Sequence, residues 1–290
     1  MSFRTVVITK QSKLSYKNKY LAVKSDLDEN YIHLSEIDTI IVDSIAVSIS
    51  SYLLKELSDN KINIIFCDEK HNPFGELSSF YSSHNTSKKI LMQTKWSIKQ
   101  KDELWSLIVK NKIVNQAMLL NKIKSNNYDL VMSYVSEVRN GDKTNREAHA
   151  AKVYFNSLFT KSFIRNANDS INVALNYGYS ILLSNFNKEI VNNGYLTQLG
   201  IHHKSEFNQF NLACDFMEPF RPIIDRFVYY NQNREFDSKY KLDLINIFNN
   251  SFKYCGKVYT LKDIIKMYTK NTLDCLSDNK KYKEFIFYEG

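Results

Sequence analysis

Glycine and proline are scarce in this sequence, which has 7 glycines and 3 prolines among its 290 residues. An average chain carries roughly 7% glycine and 5% proline, and folds with many tight turns place both residues at their corners. The scarcity therefore argues against a turn-rich β fold over most of the length and predicts that helix dominates.

Long apolar runs are also missing. The sequence has no window of about 18 uninterrupted apolar residues, which a membrane-spanning helix needs. Residues 1–5 read Met-Ser-Phe-Arg-Thr, without the apolar stretch of a signal peptide. We expect a soluble, cytoplasmic protein that has no membrane partner.

The 4 cysteines are too scattered to suggest a structural site. They lack the Cys-x-x-Cys pairs and the histidine spacing of zinc fingers, and they occur at positions Cys67, Cys214, Cys255 and Cys275. We expect reduced thiols in an intracellular protein, which argues against disulfides and structural zinc.

Apolar bulk and positive charge are what the sequence has instead. Apolar residues make up 43% of the chain, enough to bury a core, and the length favours two moderate domains. Residues 1–75 hold 9 Lys and Arg against 10 Asp and Glu, whereas residues 76–290 hold 30 against 21, so the second part carries the whole excess of +8. A positive domain attracts polyanions, which makes nucleic acid a natural partner, although basic surfaces also serve solubility alone.

The first 75 residues show the period-two alternation of strands. Strands are predicted at residues 3–8, 13–16, 20–23, 31–34, 38–42 and 63–67, where β-branched and aromatic residues cluster. Residues 47–60 place apolar side chains on one helical stripe. We predict a small β-sandwich-like domain over residues 1–75 that carries one helix.

Pro73, Gly75 and the serine-rich residues 78–83 interrupt this pattern, since these residue types favour turns and loops. We interpret residues 76–87 as a linker. Beyond it the apolar period becomes helical, so residues 88–290 are predicted to form a larger, mainly α-helical domain. The predicted fold class is therefore α+β.

One candidate site begins on a helix that Asn145 can cap. On that helix Glu147 shares a face with Ala151 and Tyr154, because residues three or four positions apart are neighbours. His149 lies two positions from Glu147 and points to another side. Glu147 and His149 therefore cannot bind one ion from a regular helix.

A second segment, residues 200–222, places His203 in a loop ahead of a short helix. On that helix Asp215 and Glu218 lie three positions apart and share a face. Two or three carboxylates with a neutral imidazole form a hard donor set, which suits Mg²⁺ or Mn²⁺. Such an ion can polarise a phosphoryl oxygen and stabilise a leaving oxyanion, so phosphodiester cleavage and transesterification are both compatible with the set.

An ordinary interpretation of the same residues stays open. Acids on helices are usually solvated or paired with arginine, and Arg221 and Arg226 lie near these acids in the sequence. A lone histidine is usually structural. The spacing Asp-x-x-Glu is therefore weak evidence for a metal site by itself.

At these residues the chain resembles the family of CRISPR-associated adaptation integrases, and within it the type II branch. The resemblance runs nearly from end to end. Its most specific parts are Asn145-Arg146-Glu147 through Tyr154-Phe155, Leu175-Asn176-Tyr177-Gly178-Tyr179, Gly200 through His203, and Asp215-Phe216-Met217-Glu218-Pro219-Phe220-Arg221-Pro222 with Asp225; Phe3 through Val7 and Lys13-Leu14-Ser15-Tyr16 also resemble that branch.

The resemblance implies a homodimer with N-terminal β domains, which serve dimerisation, and helical catalytic domains. Such dimers flank a small ferredoxin-like partner in a complex that inserts foreign double-stranded DNA into a CRISPR array, and other type II CRISPR proteins are further expected partners. In that family a glutamate, a histidine and a later acid bind the metal, which matches Glu147, His203 and Glu218. Asp215 matches a further acidic position. One departure is Asn211, where the family often has a small serine.

The leading hypothesis is an endonuclease and integrase in which Mg²⁺ or Mn²⁺ lets a fragment's 3′-hydroxyl attack a phosphodiester at the border of a repeat. Four residues are candidate phosphate contacts, although a surface charge or an ion pair explains each of them equally well: Arg146, Lys152, Arg165 and Arg221. The alternatives are a stand-alone nuclease that acts on branched DNA and a non-catalytic basic scaffold that binds DNA.

Tyr177 and Tyr179 invite a base-stacking role, because aromatic rings of single-strand binders stack on bases. In their Leu-Asn-Tyr-Gly-Tyr context we favour packing at a helix interface. Gly178, which lies between them, would permit the close approach.

Overall fold

The structure of the protein is a computed structural model that describes residues 4–26, 28–69, 72–77, 85–165 and 167–287. The chain divides into two units, Met1–His84 and Asn85–Gly290. Strands dominate the described part of the first unit and helices dominate that of the second, which confirms the predicted α+β class.

The predicted linker, residues 76–87, lies largely outside the described residues, as does the serine-rich stretch 78–83. The last described strand of the first unit ends at Glu76, and the first described helix of the second unit begins at Thr86. The proposed domain boundaries stay predictions.

Short strands build the first unit because its sequence alternates apolar and polar residues. In the second strand, for example, Leu14 is buried and its neighbour Lys13 is exposed. The elements are β1 (Arg4–Ile8), β2 (Ser12–Lys17), β3 (Tyr20–Lys24), β4 (Glu29–His33), β5 (Ile37–Val42), β6 (Val47–Ile49), α1 (Ser51–Asp59), β7 (Asn63–Cys67) and β8 (Pro73–Glu76).

In the described residues these strands form two four-stranded sheets. One has the order β1-β5-β7-β8, in which β1, β5 and β7 run parallel and β8 pairs antiparallel with β7. The other has the order β4-β3-β2-β6, with an antiparallel meander and a parallel pairing of β6 with β2. Buried residues of both sheets and of α1, among them Leu14, Ile40 and Leu53, form one core cluster, so the domain is sandwich-like as predicted.

The helix predicted at residues 47–60 begins later than expected. Val47–Ile49 forms β6, which pairs with β2, and Ser50 then caps α1 by accepting a hydrogen bond from the backbone N–H of Leu53. Two of the three residues in β6 are β-branched, and β-branched residues favour strands.

Helices fill most of the second unit. Among the described residues, none of the helices combines the length and the apolar character that crossing a membrane requires. The elements are α2 (Thr86–Gln93), α3 (Ile98–Lys122), α4 (Tyr128–Glu137), α5 (Arg146–Leu158), α6 (Ser170–Asn192), α7 (Asn211–Met217), α8 (Arg221–Asn231), α9 (Ser238–Asn246), β9 (Ser251–Tyr254), β10 (Lys257–Thr260) and α10 (Leu261–Asp278).

Two features near the C-terminus were not predicted. One is the β9–β10 hairpin, whose turn residues Cys255 and Gly256 have positive φ angles of 50° and 80°. The other is the tail after α10, which lies along α3. Asn111 of α3 accepts a hydrogen bond from the backbone N–H of Phe285 at 3.0 Å and donates one to its carbonyl at 2.8 Å.

A second asparagine of α3 extends this pairing. Asn115 accepts a hydrogen bond from the backbone N–H of Phe287 at 3.1 Å and donates to the carbonyl of Pro219 at 2.8 Å. The two side-chain amides thus make the hydrogen bonds that a neighbouring strand would make with the backbone of the tail. The amide of Asn115 also binds the segment between α7 and α8.

α6 packs against α7, α8, α9 and α10. Tyr177 and Tyr179 on α6 are buried, as the packing interpretation predicted. A Cβ atom at Gly178 would lie 2.5 Å from Ile224 Cγ2 and 3.0 Å from Leu244 Cδ2. Glycine is therefore what permits α8 and α9 to approach α6 so closely.

Gly178→Ala should lower the free energy of unfolding by about 1 kcal/mol, because overpacking a core costs about 1–3 kcal/mol and improved helix propensity offsets only about 1 kcal/mol. Urea unfolding followed by circular dichroism measures the change. The double variant Gly178→Ala/Ile224→Ala should be more stable than the two single changes imply, since the second change removes the obstructing side chain. Additive effects would contradict the close-approach role.

Candidate active site

The turn before α5 positions the first predicted ligand. Asp142 accepts hydrogen bonds from the backbone N–H groups of Arg146 at 2.9 Å and Glu147 at 3.0 Å, so two donors that lack helical partners are satisfied. Asn145 stands at the cap position with a left-handed φ of 52°, and its side chain makes no capping hydrogen bond. The prediction that Asn145 caps the helix is therefore wrong, and Asp142 takes that role.

Glu218 lies between α7 and α8, in the 3-10 turn Glu218–Phe220. Pro219 and Pro222 lie at the first positions of this turn and of α8, where a missing N–H costs no hydrogen bond. Proline thus separates the two helices, while the chain continues in nearly helical conformation.

Glu147 and Glu218 meet at one buried lysine, Lys112 of α3. Its Nζ lies 2.6 Å from Glu147 Oε1 and 2.5 Å from Glu218 Oε2, and the contact with Glu147 has hydrogen-bond geometry. On the other side, Arg221 Nε approaches Glu218 Oε1 to 2.8 Å. The side chains of Lys112 and Glu218 are 8% and 3% exposed, so the ion pair between these two residues is largely shielded from water.

The surroundings keep both members of this ion pair charged. Burial alone raises the pKa of Glu218, but Arg221 and Lys112 outweigh burial and hold that pKa well below its usual range. Burial lowers the pKa of Lys112, yet the attraction of Glu147 and Glu218 raises it overall. Glu218 and Lys112 therefore form a compensated pair of opposite charges.

Asp215 organises the loop that carries His203. Its Oδ2 accepts hydrogen bonds from the backbone N–H groups of Ile201 at 2.7 Å and His202 at 3.1 Å. Its Oδ1 accepts hydrogen bonds from the backbone N–H of His203 at 3.1 Å and from Nδ1 of the same residue at 2.6 Å. The hydrogen bond to Asp215 raises the pKa of His203 against the effect of burial. Nε2 is then the ring nitrogen that remains for a ligand.

Trp105 and Gly200 complete the packing around this loop. The buried Trp105 ring lies parallel to that of His202, with centroids 4.2 Å apart, and edge-on to that of His203 at 6.0 Å. A Cβ atom at Gly200 would collide with the carbonyl oxygen of His203 and lie 2.9 Å from Asp215 Oδ2. The loop therefore needs glycine for steric room.

These contacts bring Glu147, Glu218 and His203 towards one place, and both glutamates add to the rise in the pKa of His203. As placed, the His, Cys, Asp and Glu side chains of the described residues form no group of three or more that could hold a metal ion. The positive charge between the two glutamates belongs to Lys112. The donors nevertheless fit a hard divalent ion, because two carboxylates already enclose a cation and an oriented imidazole lies near them.

Most of the chain matches one known family. Residues 5–241 match the family model described as "CRISPR associated protein Cas1". This chain belongs to the Cas1 family. The CRISPR-associated endonuclease Cas1 of Neisseria meningitidis serogroup C is 36% identical over 240 residues, which cover 81% of this chain and 78% of that relative. Membership of the Cas1 family confirms the family resemblance found at the sequence motifs, and assignment to the type II branch stays a prediction.

Two solved structures share the Cas1-family fold of this chain. The structure "Casposase bound to integration product" has a TM-score of 0.78 at 17% identity and covers 100% of this chain and 95% of that one. The "Cas6-RT-Cas1--Cas2 complex" has a TM-score of 0.72 at 21% identity and covers 98% of this chain but 36% of that longer chain. At these identities the similarity establishes the fold alone.

Two of the four predicted phosphate contacts lie beside Tyr179. The guanidinium of Arg221 is 4.6 Å from the centre of the Tyr179 ring, and that of Arg165 is 5.1 Å from it. Arg165 also donates hydrogen bonds to Asn172 at 2.9 Å and Asn176 at 2.8 Å.

The other two lie on α5. Arg146 pairs with Glu137 at 3.1 Å and approaches His149 Nδ1 to 3.2 Å, while Lys152 is exposed. Of the four basic residues, Arg221 is the one with a described ion pair to a predicted metal ligand. Contact of any of them with phosphate stays a prediction.

Asp225 of α8 connects three helices behind the site of this Cas1-family chain. It accepts hydrogen bonds from Tyr154 of α5 at 2.8 Å and from Tyr179 of α6. Burial raises the pKa of Asp225 to about 6, against the lowering effect of the two phenol hydroxyls. The network ties the helix that carries Glu147 to α8.

Lys112, Asp142 and Trp105 were not among the predicted site residues. The sequence did contain a sign of the role of Lys112. Together with Trp105 and Val109 it lies at helical spacing on the buried face of one helix, and a charged side chain on a buried face requires a partner of opposite charge. It also contained a sign of the role of Asp142, since an acid just before a helix often accepts hydrogen bonds from its first N–H groups. The contacts of Trp105 with the two histidines could not be predicted from any local sequence pattern.

Gly200→Ala should displace the loop that holds His203, because the added Cβ collides with backbone and with the hydrogen-bonded Asp215 carboxylate. We expect the free energy of unfolding to fall by about 1–3 kcal/mol and the imidazole NMR signals of His203 to shift. Gly75→Ala is the matched control, since a Cβ there meets no atom within 4 Å, and it should change stability by less than about 0.5 kcal/mol. Unchanged His203 signals in Gly200→Ala would count against this steric role.

The stability difference between Asp225→Asn and the parent protein should depend on pH. Burial raises the pKa of Asp225 from 3.8 to about 6, so between these values the folded state binds the proton more tightly than the unfolded state does. Asp225 therefore makes the folded protein less stable as the pH rises from about 4 to about 6, with little further change above that. Asparagine imitates the protonated acid.

Relative to the parent, Asp225→Asn should thus gain up to about 3 kcal/mol of unfolding free energy over this pH range. Urea unfolding of both proteins at steps between about pH 4 and pH 7 measures the gain. A difference that does not vary with pH would show that Asp225 is not the titrating group.

Proposed function

We propose that this Cas1-family protein is a divalent-metal-dependent DNA endonuclease and integrase that inserts fragments of foreign DNA into a CRISPR array. The observation that carries the proposal is the meeting of Glu147 and Glu218 at one cation, with His203 held near them by Asp215. Family membership supplies the class of activity, and these residues supply a site for it.

Mg²⁺ or Mn²⁺ is the proposed cofactor, and Glu147, Glu218 and Nε2 of His203 would hold it. Its chemistry when bound is to polarise a phosphoryl oxygen and to stabilise the leaving oxyanion. Asp215 already accepts four hydrogen bonds on its two oxygens. We therefore assign Asp215 a positioning role, in which it acts on the ion through His203 and is not itself a ligand.

In the proposed reaction, the 3′-hydroxyl oxygen of a fragment bonds to phosphorus at the border of a repeat, and the bond from that phosphorus to the 3′-oxygen of the repeat strand breaks. The displaced oxygen leaves with the bonding electrons and becomes a new 3′-hydroxyl, so the proton that the attacking hydroxyl loses is balanced by the one that the leaving oxygen gains. Two such attacks, one on each strand, insert the fragment. Arg221 lies next to Glu218 with 25% of its side chain exposed, which favours pairing with a phosphate beside the ligands. A cavity of about 550 Å³ beside His203, lined in part by Lys101 and Lys204, offers space for a DNA end.

The proposed partners are double-stranded DNA, as fragment and as repeat, a second copy of this chain in a homodimer, and a small ferredoxin-like CRISPR-associated protein. Other type II CRISPR proteins are further proposed partners, because the motifs resemble that branch. The excess of 30 basic over 21 acidic residues after residue 75 supports DNA binding. The names of the two structural neighbours, a Cas1–Cas2 complex and a casposase on its integration product, support the same partner classes. Action on a CRISPR array implies a cytoplasmic location.

A strand-transfer assay tests the proposal. The protein and its small partner are mixed with a labelled fragment and a supercoiled plasmid that carries the array, and the products are separated on a gel. Joined products should appear with Mg²⁺ or Mn²⁺, disappear with EDTA, and disappear when the fragment ends in a 3′-deoxynucleotide. Glu147→Gln and Glu218→Gln should reduce joining at least about 100-fold.

Glu103→Ala is the matched control, because Glu103 is an exposed acid of α3 whose described ion pair is with Lys99, and it should join normally. Normal joining by Glu218→Gln would remove that residue from the mechanism. Cut ends without joined products would favour the stand-alone nuclease. Salt-sensitive DNA binding that neither EDTA nor these substitutions alter, with no reaction, would favour the scaffold.

A further inference from the structure

Lys112 lies where a bound cation would be expected, and the proposed reaction does not account for it. Its side chain is 8% exposed, and its ammonium contacts both Glu147 and Glu218. A buried ammonium loses its hydration, which the two carboxylates compensate here. The dependence is mutual, because the lysine offsets the repulsion between the two carboxylates.

The same contacts show what a divalent ion would encounter. A metal ion bound by Glu147 Oε1 and Glu218 Oε2 would require the oxygens that Lys112 now contacts. Repulsion between two cations a few ångströms apart is strong in a site with little water. The ammonium and a metal ion therefore exclude each other at these oxygens.

We propose that Lys112 is a resident cation, which holds the two carboxylates together before metal binding and which a divalent ion must displace. The inference rests on the proposed function, because it takes Glu147 and Glu218 as metal ligands. Lysine suits the exchange, since it is a single charge on a flexible four-carbon stem. Arg221 contacts the other oxygen of Glu218, Oε1, so it can stay in place.

Titration calorimetry with Mn²⁺ and the full-length chain, without DNA, tests this competition. Lys112→Met keeps an apolar stem and removes the charge. We expect it to bind Mn²⁺ on the order of tenfold more tightly than the parent, because no ammonium has to be displaced. Equal or weaker binding by Lys112→Met overturns the inference.

Lys99→Met is the matched control for this titration. Lys99 lies on the same helix, its side chain is 82% exposed, and its described partner is Glu103 at 3.9 Å. This variant should bind Mn²⁺ with the affinity of the parent, and circular dichroism checks that both variants are folded.

A second measurement needs no variant. In a Mn²⁺-soaked crystal of the parent protein, we expect an anomalous peak at Glu147 and Glu218 with Lys112 Nζ more than about 4 Å from at least one of these carboxylates, beyond ion-pair distance. A peak at these carboxylates with both Lys112 contacts intact overturns the inference, whether or not Lys112→Met folds.

Glu147→Ala separates a failure of this inference from a failure of the proposed function. If Glu147→Ala binds Mn²⁺ as tightly as the parent, the proposed metal site is wrong and the inference falls with it. If Glu147→Ala loses binding while Lys112→Met matches the parent, the metal site stands and the role of Lys112 alone is wrong.

Discussion

Two carboxylates can lie side by side in this protein because a lysine lies between them. Without a shared cation, Glu147 and Glu218 would repel each other and would separate or take up protons. With Lys112 between them, both lie within ion-pair distance of one ammonium. This cluster of charges joins three segments that are far apart in the sequence: the middle of α3, the first turn of α5 and the turn before α8. Hydrogen bonds of Asp142, Asn115 and Asp225 hold these segments in place.

The acids of the site differ in the partners that they have. Asp142 and Asp215 accept hydrogen bonds from backbone N–H groups, which cannot leave without a change of fold. Glu147 and Glu218 instead face the ends of long cationic side chains, which can rotate away. A carboxylate that is hydrogen-bonded to backbone N–H groups has a fixed structural role, whereas a carboxylate paired with a mobile side chain can exchange that side chain for another cation. This distinction separates the acids that orient the site from those that can bind a ligand.

Local patterns could predict the parts of this structure that depend on neighbours in sequence. Alternation predicted most strands of the first unit, whereas Glu218, predicted on the same helix as Asp215, lies in the turn after that helix. The same patterns could not predict that Lys112 bridges two acids, because that contact joins residues 35 and 106 positions apart. They also failed where two local signals compete, as in the strand at Val47–Ile49 and the cap at Asn145. The hairpin β9–β10 was too short, with four residues in each strand, for alternation to stand out.

The amide of Asn115 touches both the C-terminal tail and the carbonyl of Pro219, the residue after Glu218. The support of the Glu218 turn is thus linked to Phe285 and Phe287, which are synthesised after every residue of the site. Chains fold from the N-terminus as they leave the ribosome. A nascent chain can therefore contain both glutamates and the histidine before this support exists, and the hydrogen bonds of Asn115 are completed only when Phe285 and Phe287 have emerged.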